Sequence, residues 1–190
     1  GIVDVLPKIG STGADQYNIA MPPPWGNYSI GTQTLNPLSR CHAFPFIAPA
    51  TGDVDAIGVK ITTADAGEDI YMAIYSQDSN NLPSTRLGYT TITLDATGEV
   101  YAAPTGSFSL TAGTQYWYSI NLKDNAIYNG VVSSCAANYV PTLGITDSLE
   151  SNYNAIRDET ASAFAVPPAT FTADTLSENI KRIWVGLKIS

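Results

Sequence analysis

Short runs of apolar residues that alternate with polar ones, each closed by a cluster of turn formers, recur along most of this chain. Ile70-Tyr71-Met72-Ala73-Ile74-Tyr75 breaks at Ser76-Gln77-Asp78-Ser79-Asn80-Asn81-Leu82-Pro83 and resumes over 86–94, the pattern of two strands joined by a turn. Over 115–122, Tyr116, Tyr118, Ile120 and Leu122 fall on one face of a strand, and Trp117, Ser119 and Asn121 on the other. Ile57, Val59 and Ile61 alternate with Gly58, Lys60 and Thr62, and Ile183, Val185, Leu187 and Ile189 with Trp184, Gly186 and Lys188. A run that regular at the chain's end is expected to be paired inside a sheet. Residues 42–47, with Pro45 marking an edge or a bulge, and the pieces 100–101 and 107–110 add shorter strands; 128–132 and 138–140 are less regular candidates. Helical spacing is confined to a turn or two within 147–160 and 175–181. About eight strands with almost no helix predict an all-β fold, a two-sheet β-sandwich of the jelly-roll type.

Residues 1–40 are the least regular. Met21-Pro22-Pro23-Pro24-Trp25 cannot join a central strand, because three successive residues lack an N–H and keep near-polyproline geometry. The expectation is an extended Pro-rich N-terminal arm or linker over 1–40 and a sandwich domain over 41–190. An arm of that length is uncommon in a compact monomer, so burial against a neighbour and a homo-oligomer are expected. The chain begins at Gly1, as a processed chain or a piece of a longer one would.

Composition narrows the partners. Charged residues are 14% of the 190, against roughly 25% in an average domain; Thr, Ser, Asn, Gly and Tyr carry the polarity, a habit of extracellular β-proteins and virion proteins. Nine Lys plus Arg against seventeen Asp plus Glu leave a net charge of −8, and Lys181-Arg182 is the one adjacent basic pair. That balance opposes phosphate contact and argues against nucleic acid. No apolar stretch approaches the ~20 residues of a membrane span, so membrane insertion is not expected. Cys41 and Cys135 either close a long loop or remain two separate buried thiols.

Catalytic chemistry finds little to work with. The single histidine, His42, sits inside an apolar strand, where a packed or hydrogen-bonded role is the ordinary one. There is no Gly-x-Ser-x-Gly elbow, no phosphate loop, no dinucleotide fingerprint and no zinc ligand set. A glycosidase needs two carboxylates about 5–10 Å apart, and no spacing here recommends a pair. The reading is therefore not an enzyme, with no catalytic residues and no required cofactor. In Asp65-Ala66-Gly67-Glu68-Asp69, with Asp53 and Asp55 earlier in the chain, Asp65, Glu68 and Asp69 could offer oxygens to Ca²⁺ or simply form a solvated turn. Trp25, Tyr28, Tyr128, Tyr139 and Tyr153 fall in or beside loops, where aromatic rings stack on sugars and neighbouring amides bond hydroxyls, or where rings anchor a loop or a subunit interface. The segments 124–130 and 138–154 combine both groups, which makes Tyr128, Asn129, Tyr139, Asn152 and Tyr153 the candidate ligand-binding residues.

The order of these pieces resembles a jelly-roll β-sandwich domain of tailed-bacteriophage virion surface proteins, of tail-fibre, spike or decoration type. The resemblance covers most of 38–190. It rests on Arg40, Ala43, Pro45 and Phe46, on Val54-Asp55-Ala56-Ile57-Gly58-Val59, and on the Asn81-Leu82-Pro83-Ser84-Thr85-Arg86-Leu87 turn. It continues through Gly98-Glu99-Val100, Leu110-Thr111-Ala112-Gly113-Thr114-Gln115-Tyr116-Trp117, Pro167-Pro168-Ala169-Thr170-Phe171 and the closing Ile183-Trp184-Val185-Gly186-Leu187-Lys188-Ile189. The Leu-Pro turn and the Tyr-Trp strand are also similar to non-catalytic carbohydrate-binding sandwiches of bacterial secreted proteins. Ser84 stands where a glycine commonly follows the proline of that turn, so the turn departs in detail. The resemblance implies a place on the particle surface, outside the cell, among other virion proteins, with a trimer by analogy and a host-surface glycan as ligand. Two other roles stay open at this point: a capsid decoration or cement protein, and a glycan depolymerase with an acidic groove.

Overall fold

The computed structural model describes residues 15–19, 29–35, 41–124, 129–136, 157–159, 164–172, 175–176 and 182–190. In chain order the strands are β1 (Asp15–Asn18), β2 (Ser29–Thr34), β3 (Cys41–Ile47), β4 (Gly52–Thr63), β5 (Asp69–Gln77), β6 (Pro83–Thr93), β7 (Gly98–Ala102), β8 (Ser109–Leu110), β9 (Gln115–Leu122), β10 (Val131–Ala136), β11 (Arg157–Glu159), β12 (Thr175–Leu176), β13 (Arg182–Ile183) and β14 (Val185–Ile189). No helix occurs among the described residues, and none there is long and apolar enough to cross a membrane. Arg157–Glu159 and Thr175–Leu176, where helical turns were expected, pair with each other as strands. Three residues cannot nucleate a helix, but a neighbouring edge, here β3, satisfies their backbone at once.

The fold is an all-β, two-sheet antiparallel sandwich. β4 lies between β14 and β7, since Val59 pairs with both Val185 and Val100, and β1 closes that sheet against β14. The facing sheet runs β12-β11-β3-β9-β5-β6. With the eight framework strands (β1, β3, β4, β5, β6, β7, β9 and β14) numbered in chain order, the first sheet reads 1-8-3-6 and the second 2-7-4-5, the jelly-roll order. We call them sheets A and B.

The framework strand β1 corrects the expected arm. Asp15–Asn18 pairs residue for residue with 186–189, and Tyr17 and Ile19 enter the core. β2 pairs along its whole length with β10, and Leu35 behind it is fully buried. These segments of 1–40 are therefore part of the sandwich. Asp15-Gln16-Tyr17-Asn18 carries a single large apolar residue, too little pattern to read as a strand, and its partner edge supplies the rest. The Pro-rich stretch 21–25 lies outside the described residues.

Between the sheets, Phe44, Phe46, Tyr118, Ile120, Ile70 and Ile74 of sheet B meet Val54, Ile57, Val59, Ile61, Val185 and Leu187 of sheet A. Phe44 stacks on Tyr118 at 5.1 Å, and the buried Tyr118 hydroxyl donates to Ile183 O at 2.9 Å, so the phenol spans the sandwich without an unpaired oxygen. His42, opposite Ile120, is buried on this inner face.

Sheet B is covered on its other side too. Cys41, Ala43, Ala73, Tyr75, Trp117 and Phe171 form a second apolar cluster beneath a strap, residues 164–172. Pro167 and Pro168 cannot donate backbone hydrogen bonds, so the sheet supplies donors to the strap's carbonyls. Asn121 Nδ2 reaches Ala165 O at 2.7 Å, Tyr75 Oη reaches Pro168 O at 3.0 Å, and the Arg86 guanidinium reaches Pro167 O. Along the edge of β6, Arg86 N donates to Ala169 O (2.9 Å) and Phe171 N to Ser84 O (2.8 Å), which covers part of an otherwise open strand edge. Phe171 then packs edge-on against Tyr75 at 5.3 Å. Cys41 belongs to this outer cluster of sheet B, whereas the backbone of Cys135 belongs to β10 of sheet A.

Candidate functional site at the loop end of the sandwich

One end of the sandwich is defined by the β4–β5 turn, and its acids organise the loops around it. Asp65 N donates to Leu94 O at 2.8 Å, Leu94 N returns a bond to Glu68 O at 2.9 Å, and Gly67 N donates to Asp95 Oδ1 at 2.9 Å. The β4–β5 and β6–β7 turns are thus tied to each other. Asp65 Oδ2 also accepts from Asn129 N (2.6 Å) and Gly130 N (3.1 Å). That carboxylate therefore holds the chain just before β10, one of the regions that the sequence marks for ligand contact. Gly130 O in turn accepts from Leu35 N at 3.1 Å.

Two of the three acids of the turn are engaged within the protein. Asp65 is spent on two backbone N–H groups. Asp69 is bound to the exposed Lys123 at 2.5 Å. Partial burial opposes ionisation of Asp69, but hydrogen bonds from Lys123 and Thr93 and the charge of Lys123 outweigh it and hold the carboxyl below its ordinary value. The same contact raises the Lys123 ammonium. Asp53 and Asp55 stand at the far end of β4, about 30 Å away at the usual rise per strand residue. There Asp53 binds Ser109 Oγ and exchanges backbone bonds with Ser190, and Asp55 accepts from Ser190 Oγ. Among the described residues no three His, Cys, Asp or Glu side chains gather as a metal site.

Of the candidate ligand residues, Asn129 is exposed beside Asp65. Tyr128, Tyr139, Asn152 and Tyr153 lie outside the described residues, as do Trp25 and Tyr28. The framework nonetheless fixes where the two long connections start and finish. The connection 19–40 leaves β1 beside Gly186 and enters β3 at Cys41; the connection 123–184 leaves β9 beside Ile70 and enters β14 beside Val59. All four of these points face the Asp65 end.

The opposite end is built from tight turns. Ala48 N donates to Thr114 O and Gly113 N to Ala48 O, both at 2.9 Å, and Asp78 Oδ1 accepts from Asn80 N and Leu82 N at 2.8 and 2.9 Å. Asn81 adopts φ of 62° there, a left-handed conformation that Asn tolerates. Its carbonyl accepts from Trp117 Nε1 at 3.2 Å.

A further aromatic group escaped the sequence reading. Tyr101 of β7 is half-buried on the outer face of sheet A, where burial and then the charge of Glu99 push its hydroxyl up to about 12. The available signal was a glycine at an outward position in each of two regular strands, Gly58 and Gly186. No protein-family model and no curated protein matches the chain.

Proposed function

We propose that this chain is a non-enzymatic adhesion domain of a bacteriophage particle, of tail-fibre or spike type, that holds host-surface glycans on the loops at its Asp65 end. The observation that supports this reading most is the convergence of both long connections on that one end, with short turns at the other. Binding proteins commonly mount variable loops on a rigid scaffold in this way. The second connection contains Tyr128, Asn129, Tyr139, Asn152 and Tyr153, rings and amides suited to stacking on sugar faces and bonding hydroxyls. The low charge and Ser/Thr/Asn-rich composition suit an exposed extracellular surface. Other virion proteins, and further copies of this chain, are the partners such a role requires.

Adsorption of the purified chain to bacterial cells, and to envelope polysaccharide extracted from them, tests the proposal. Saturable attachment that falls about tenfold in a Tyr128→Ala/Tyr153→Ala double variant of unchanged melting temperature is the expected result, on the scale of an aromatic contact worth ~1–2 kcal/mol. Absence of attachment to any envelope material overturns it, and so does release of new reducing ends from the polysaccharide.

A further inference from the structure

Asn129-Gly130 is the one Asn-Gly pair in the chain; every other asparagine is followed by a residue that carries a side chain. Asparagine is chemically labile, and its loss of ammonia runs through the backbone nitrogen of the next residue. That nitrogen attacks the side-chain carbonyl carbon, and a glycine, lacking Cβ, hinders the approach least. Asn129 is exposed, so water and base reach its amide, whereas Gly130 is buried.

Asp65 stands on the nucleophile. Its Oδ2 accepts from Gly130 N at 3.1 Å and from Asn129 N at 2.6 Å. Attack requires Gly130 N to lose its proton, and a carboxylate bonded to that N–H opposes the anion that would form. Gly130 is held from its other side too, because its carbonyl accepts from Leu35 N at 3.1 Å. A Cβ there would sit 3.1, 3.2 and 3.3 Å from Leu94, Leu35 and Asp65, so the surroundings are tight. Asp65 is itself fixed, with its N–H on Leu94 O and its carbonyl accepting from Glu68 N. The nitrogen therefore cannot turn toward the Asn129 side chain without local opening of these bonds.

We propose that Asn129-Gly130 is a deamidation site held closed by the Asp65 carboxylate, and that the reaction unfastens this loop end. Solvent base takes the Gly130 amide proton, and the nitrogen forms a bond to Asn129 Cγ. The Cγ–Nδ2 bond breaks, and ammonia leaves after taking a proton from solvent. Water then opens the resulting succinimide at either carbonyl, leaving aspartate or isoaspartate. Either product adds a negative charge beside Asp65, and the two repel. Isoaspartate also puts one more carbon into the main chain before Gly130, which draws that N–H off Asp65 and disturbs the start of β10. The change is one-way, and it does not depend on what the loops bind.

Ageing the full chain at pH 8, in buffer and in denaturant, tests it, with fragmentation mass spectrometry following the peptide that contains 129–130. Deamidation at Asn129 adds about 1 Da, and it is expected to be at least tenfold slower in the native chain than in the denatured one. A folded Asp65→Ala variant should come within threefold of the denatured rate. Asp65→Asn keeps the shape and removes the charge, so it carries the test if alanine at 65 unfolds the chain; it should deamidate at least threefold faster than the wild type. The isoaspartate form, separated by ion exchange, should melt below the unmodified chain. Native wild type that deamidates as fast as the denatured chain overturns the proposal, as does a folded Asp65→Asn variant at the wild-type rate. An isoaspartate form that melts with the unmodified chain overturns it as well.

Discussion

The outer faces of the two sheets are finished in opposite ways. Sheet B is roofed by the strap 164–172, so β3 and β9 are buried on both sides and Trp117, Tyr75 and Cys41 form a second core. Sheet A has no such cover among the described residues of its outer face, and there β4 keeps exposed positions at Asp53, Asp55, Lys60 and Thr62. Among the described residues, one face is closed by a segment distant in sequence, and the other carries the Tyr101 ring lying on Gly58 and Gly186. A strand's polar alternation alone therefore does not report whether its second face meets water, since β9 carries Ser119 and Asn121 on a face that is buried.

The largest effect expected from breaking this contrast is at Phe171. Phe171→Ala should cost about 3–4 kcal/mol, the range for removing a buried phenylalanine, and should open Trp117 to a fluorescence quencher such as acrylamide. A loss below about 1 kcal/mol, with Trp117 still shielded, would show that the strap is not what closes sheet B.

On the open face, Gly186→Val should destabilise by about 1–3 kcal/mol, because the new side chain must displace the Tyr101 hydroxyl. Combined with Tyr101→Ala the two changes should be far from additive, since removing the ring makes the room that valine needs. Additive losses in denaturant titrations would separate the ring from the glycines.

Smaller again is Tyr75→Phe, which removes the hydroxyl bound to Pro168 O and should cost about 1 kcal/mol while leaving the ring packed on Phe171. Ser119 Oγ is buried with no hydrogen-bond partner among the described residues. Ser119→Ala should therefore be neutral or stabilising by up to about 1 kcal/mol, and a clear loss would reveal a partner for that hydroxyl.

The smallest effect is electrostatic and sits at the loop end. The Asp69 carboxyl is held below its ordinary 3.8, so its contribution is complete above that pH and is lost as the pH falls through the lowered value. Both groups are close to water, which keeps the pair weak. Thermal melts from pH 6 down to pH 2 should show a slightly shallower acid decline for Asp69→Asn than for the wild type.

Much of sheet B was legible in the sequence as strands but not as a doubly covered sheet. Over β9, the alternation of Tyr118, Ile120 and Leu122 with Ser119 and Asn121 reads as a half-exposed strand. Ser119 and Asn121 are nevertheless fully buried, Asn121 because its amide bonds a carbonyl of the strap. Local pattern could not announce that partner, which lies 44 positions away. At the candidate site, the acidic turn 65–69 was visible, but its role was not. Asp65 turns its carboxylate to the backbone of 129–130, and the sequence alone does not show which N–H groups come within its reach.

By itself the sequence determined the all-β class and most framework strands, because side chains that alternate every second residue can bury one face only in a sheet. It also set the net charge of −8 and the low share of charged residues. Tertiary structure alone decided that Asp15–Asn18 completes sheet A, that 164–172 roofs sheet B, and that Tyr101 lies flat across Gly58 and Gly186. Each of these depends on a partner far away along the chain, whose backbone donors, carbonyls or missing side chains create the site. Short-range periodicity carries no information about such partners.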